Sequence, residues 1–163
     1  MNTTKFISAQ YDMVTEWMTG IIDAFSDDDF RLELSKGKNH ALWILGHLVT
    51  SDDDLSVYLG KGELLYPEYA AIFSQGKKLI PFEQCPPPAE LKDALNKVFE
   101  KNKAIFESLN SEELSEPHAL IGEEGNDYFK TKGRVISAWH LHQLYHTGQL
   151  GAILSMAGKK VYG

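Results

Sequence analysis

Two histidines, His142 and His146, stand four residues apart in the stretch WHLHQLYHTGQL. On an α-helix that offset puts both imidazoles on one face about 40° apart, with Cβ atoms ~5–6 Å from each other. Both rings can then turn toward one ion at the ~2.0–2.1 Å metal–nitrogen distance usual for zinc. A pair at this spacing is also what a bundle core with ordinary hydrogen-bonded histidines presents, so the metal reading needs a third ligand. His47 is the candidate. On a helix, His40, Trp43, His47, Thr50, Ser51 and Asp54 share a face, because offsets of three, four and seven return to nearly the same direction.

If the helix of His47 packs beside that of His142 and His146, three imidazoles meet and the remaining coordination positions stay open to water or substrate. Three neutral imidazoles suit one mononuclear divalent ion and do not choose among zinc, nickel and iron. Asp54, and Gln149 one turn past His146, are further candidates for orienting a water or a ligand ring. Trp43 and Trp139 are core residues or walls of the pocket. His140 points ~160° away from His142 and cannot share its ion. His40, near a helix start, is expected to be solvent-exposed or capping, or to reach the pocket rim; His118 is expected to be exposed or capping in a loop. Gln143 follows His142 where the HExxH pattern of zinc proteases needs a glutamate, which removes that reading. The paired Glu-x-x-His motifs of di-iron bundles are also missing.

Positioning these residues requires helices, and the apolar spacing supplies four. Ile7, Tyr11, Val14, Met18, Ile21, Ile22 and Phe25 recur at three and four, predicting a first helix capped by Thr3 or Thr4 and ended by the SDDD run at Ser26 to Asp29. A second helix is predicted from an Asn39 cap through Trp43, Leu45, Leu48, Leu55 and Tyr58 to Gly60, with Gly46 marking close packing. A long connection from Gly60 to Pro88, with one short helix near Glu68 to Ser74, precedes a third helix opened by Pro88 and carrying Leu91 to Leu109. Residues 117 to 130 read as a polar loop. The last helix runs from Thr131 to Ala157, with Gly158 past its end and Lys159 and Lys160 at the negative end of its dipole. The expected fold is all-α, a four-helix bundle whose link between helices 2 and 3 crosses over, in a single domain spanning residues 1–163.

A chain of 163 residues buries enough surface to fold without a disulfide or structural metal. The lone Cys85 excludes an internal disulfide and an all-cysteine cage, agrees with a reducing compartment, and reads as incidental in its proline-rich loop. The net charge of −7 and the SDDD runs, read as solvated faces or caps, argue against a nucleic-acid partner. No apolar run is long enough for a bilayer, and the N-terminus lacks a signal-peptide core, so the expected location is cytoplasmic.

NHALWILGHL and HLHQLYHTGQL resemble the two signature stretches of the DinB/YfiT-like superfamily, and the likeness extends over nearly the whole chain. The resemblance implies a four-helix bundle with a three-histidine metal centre at His47, His142 and His146, and often a homodimer. It also implies relationship to S-transferases and an isomerase that use low-molecular-weight thiols such as bacillithiol or mycothiol. The superfamily name records damage-induced expression, not DNA binding. Three functions follow as expectations: a metal-dependent thiol S-transferase acting on a small electrophile, a hydrolase using a metal-activated water, and a non-catalytic metal-binding stress-response protein.

Overall fold

The computed structural model describes residues 3–122 and 128–160. Its long helices are α1 (Thr3–Asp23), α2 (Ala41–Tyr58), α4 (Pro88–Ser108) and α5 (Lys132–Met156), with a short α3 (Ala70–Phe73) inside the crossover. Both α1 and α2 pack against α4 and α5, so α1 and α2 lie on opposite corners of the bundle. The all-helical bundle with a long link between its second and third long helices is the predicted architecture. The expected polar loop includes residues 123–127, which lie outside the described residues.

The helix boundaries correct the expected caps. Thr3 and Thr4 lie within α1. The cap of α2 is His40 and not Asn39: its Nδ1 accepts the Trp43 N–H at 3.0 Å, which protects the orphan donors of the first turn. With Nδ1 accepting, Nε2–H donates to the Ile80 carbonyl at 3.3 Å, and His40 is buried against Phe82. It lines neither cavity beside the histidine cluster, so of its expected roles capping holds, while exposure and a place at the rim do not. Thr131 caps α5 through the Arg134 N–H, and Gly158, at φ +75°, closes that helix. Lys159 reaches across to Asp29 and the Ala24 carbonyl, tying the end of α5 to the end of α1.

α2 is buried on nearly every side because it meets α3, α4, α5 and the crossover. Two apolar clusters flank it: one joins Met18, Phe30, Leu45, Phe73, Leu95 and Leu150, the other Tyr11, Leu55, Phe106 and Ile136. The close approach marked by Gly46 is to Phe73 of α3: a Cβ at residue 46 would stand 2.6 Å from the Phe73 ring. This contact seats the crossover on α2 beside the histidines.

The second SDDD run is not a solvated face. Asp52 and Asp53 are each 1% exposed. Asp53 accepts N–H bonds from Leu65 and Tyr66, pinning the start of the crossover, and forms an ion pair with Lys101 of α4. Asp52 accepts from the Gln143 side chain at 2.6 Å, and Asn102 donates to the Asp52 carbonyl at 2.9 Å. Burial pushes the Asp52 carboxyl up to about 7. His118 is likewise buried: its Nδ1 accepts the Leu120 N–H at 3.2 Å, and its ring leans on Tyr58.

Candidate metal centre

α2 and α5 bring the three proposed ligands together. His47 Nε2 and His146 Nε2 each lie 3.1 Å from His142 Nε2, and all three ligand atoms fall within 4.8 Å of one another. The far side of two rings is already committed. His47 Nδ1–H donates to the Phe73 carbonyl and His146 Nδ1–H to Gln149 Oε1, both at 2.7 Å. Those donations place the ring proton on Nδ1 and leave the Nε2 lone pairs facing inward. The Nε2–H of His142 would serve the other two rings only as a shared donor, whereas a cation would engage all three lone pairs, and the donor set suits a divalent ion.

Electrostatics points the same way. Burial, followed by the charge of His146 and His47, holds the His142 pKa down at about 4; burial and the charge of His47 do the same for His146. Burial also lowers the His47 pKa. The rings are therefore neutral at pH 7, the protonation state that a metal requires.

Trp43 stacks on His47 with ring centroids 5.0 Å apart and an interplanar angle of 13°. Trp139 donates its indole N–H to the Ser51 carbonyl at 2.5 Å, joining α5 to α2 one turn past His47. A cavity of about 500 Å3 opens beside His47 and His142, with Asp54, Tyr58, Phe129, Trp139 and Tyr145 in its wall. Asp54 is half-buried there, and desolvation pushes its carboxyl up to about 6. A second cavity, of about 620 Å3, reaches all three histidines and Gln149, with Trp43 in its wall.

The other sequence candidates lie elsewhere. His140 is buried among Tyr11 and Phe106, on the far side of α5, with Nδ1 3.3 Å from Gln10 Oε1. Cys85 borders a separate groove near Phe82, and burial pushes its thiol up to about 11, away from the reactive thiolate. Sequence reasoning missed Phe73, whose backbone carbonyl orients His47, and the Asp52–Gln143 pair, which locks α5 to α2 immediately beside His142. A backbone acceptor carries no residue-type signal. The Asp52 contact was concealed within an acidic run that resembles a solvated surface.

The bundle and its convergent histidines define a class of helical proteins with a candidate metal site at the α2–α5 junction. The family model of the DinB superfamily matches residues 10–150, and the chain belongs to that superfamily. The fold is similar to the crystal structure of a conserved protein from Enterococcus faecalis, with a TM-score of 0.70 at 16% identity over 98% of this chain and 99% of that one. No curated protein matches the sequence. Among the described residues, no helix is long and apolar enough to cross a membrane.

Proposed function

We propose that this protein is a metal-dependent thiol S-transferase acting on a small electrophile. The observation that carries this reading is the convergence of three inward-facing Nε2 atoms beside a cavity walled by aromatic rings, while the chain's one cysteine lies at another surface. A divalent zinc, nickel or iron ion held by His47, His142 and His146 would supply a Lewis acid that lowers the pKa of an incoming thiol.

The protein's own groups do the rest. Phe73 and Gln149 fix the ligand tautomers, and Trp43 and Trp139 hold the ring of His47 and the α2–α5 spacing. The aromatic wall positions the electrophile and excludes water. The sulfur electron pair forms a carbon–sulfur bond, the bond to the leaving group breaks with its electrons on that group, and Asp54 takes the thiol proton on its way to solvent. Metal-loaded protein should convert a chloronitroarene in the presence of a thiol, and His146→Ala should abolish the rate. No rate above that of metal-free protein across a thiol panel would sink the proposal.

Asp54 favours a second reading. A half-buried carboxylate at about 6 in the wall of the cavity that opens at His47 and His142 also suits hydrolysis, with Asp54 as the base that orients water. That reading requires thiol-independent ester or phosphoester turnover that Asp54→Asn removes.

We also propose that the protein is a homodimer. Phe6, Met13 and Trp17 on α1, with Leu141, Tyr145 and Met156 on α5, are large exposed apolar side chains at helical spacing on adjacent helices.

A further inference from the structure

The histidine cluster is bordered by two cavities of opposite character. His47, Gln75, His142 and Tyr145 belong to both walls, so molecules in the two spaces would approach the histidine cluster from different sides, one at His47 and His142 and the other at all three rings. Among the described residues, the aromatic cavity carries one ionisable carboxylate, Asp54, and no lysine or arginine. The other carries Lys38 and Lys77 and, among the described residues, no carboxylate, although acidic residues outnumber basic ones by 23 to 16 in the chain. The nearby Glu33 is engaged by the Gly37 N–H at 2.7 Å.

The two lysines arrive by the same local device. Ser35-Lys36-Gly37-Lys38 and Ser74-Gln75-Gly76-Lys77 are both Ser-x-Gly-Lys turns, closed by Lys38 N–H to Ser35 O at 3.0 Å and Lys77 N–H to Ser74 O at 3.1 Å. Gly37 and Gly76 take φ +78° and +81°, which an L side chain adopts only under strain. One turn precedes α2 and the other follows α3, so segments far apart in the chain bring two exposed lysines to the wall of one cavity. Among the described residues neither ammonium forms an ion pair.

From this we infer that the site is divided by charge: Lys38 and Lys77 select a carboxylate-bearing small molecule on the polar side, while the aromatic cavity receives a neutral, apolar electrophile. The assignment of sulfur to the anionic molecule rests on the S-transferase proposal; the anion pocket does not.

The test uses the cobalt(II)-loaded full chain, titrated with mercaptosuccinate and with neutral thioglycerol while the sulfur-to-cobalt charge-transfer absorption is followed. Mercaptosuccinate should bind roughly three- to tenfold more tightly, as two partly screened ion pairs would provide, and the preference should shrink with salt. It should vanish in Lys38→Ala/Lys77→Ala and persist in Lys38→Arg/Lys77→Arg. No preference in the wild type, or the same preference in the alanine form, overturns the inference. If neither thiol produces the absorption, the sulfur assignment fails, and calorimetry with succinate on metal-free protein decides the anion pocket. Binding heat lost in the alanine form supports the pocket; heat that is absent or unchanged rejects it.

Discussion

At the scale of single residues, two of the three candidate ligands, His47 and His146, are held by a group behind the ring. Removing His142 takes away one of three converging nitrogens, and His142→Ala should weaken divalent-metal binding on the order of 100-fold or more, whereas Gln149→Ala, which frees only the Nδ1 of His146, should cost roughly tenfold. Competition against a chromophoric chelator measures both. Equal losses would mean that Gln149 does more than orient a ring. Asp52 gives a pH-dependent prediction. Its folded pKa of about 7 lies above the unfolded value near 3.8, so the unfolded chain is ionised where the folded one is still protonated, and Asp52 reduces stability as pH rises through that window. The contribution is on the order of 4 kcal/mol at most. Asp52→Asn should flatten the urea-denaturation profile between pH 4 and 7 and stabilise the protein at pH 7; an unchanged profile would show that Asp52 is not the titrating group.

At the scale of elements, the candidate metal centre is a property of how α2, α3 and α5 meet. Phe73 contributes its ring to the close approach at Gly46 and its carbonyl to His47, so packing and ligand orientation are coupled. Gly46→Ala should destabilise the fold by about 1–3 kcal/mol through overpacking, and should weaken metal binding as Phe73 shifts. Denaturation midpoints and metal titrations of the same variant check both; lost stability with intact metal affinity would uncouple them. The long helices were legible from apolar residues at spacings of three and four, as was the α2–α5 pairing from histidines on one face of each. The crossover's role was not. Nothing in EYAAIF indicates that a carbonyl there holds a ligand, because backbone acceptors are the same at every residue. Asp52 and Asp53 read as surface for a related reason: an acidic residue signals solvent unless its partners, here Gln143 and Lys101, are already known.

At the scale of the whole molecule, the exposed stripe on α1 and α5 runs toward the aromatic cavity, whose wall includes Leu141 and Tyr145. A second copy covering the stripe would border the site. Trp17, 55% exposed, should tolerate Trp17→Glu without unfolding, and sedimentation should show the variant as a monomer where the parent is a dimer. A parent that sediments as a monomer at all concentrations would remove the dimer from the account.

The sequence alone determined the helices, their long crossover, the superfamily and the identities of the three convergent histidines, because helical periodicity and side-chain chemistry are local properties of residue type and spacing. Tertiary structure alone decided the distances at which His47, His142 and His146 meet, that Phe73 and Gln149 set their tautomers, that His40 and His118 are buried, and that two glycine turns bring Lys38 and Lys77 to one cavity. These relations join residues from separate segments. Their free energies depend on distance, burial and a shared low-dielectric environment, which exist only after the chain has packed.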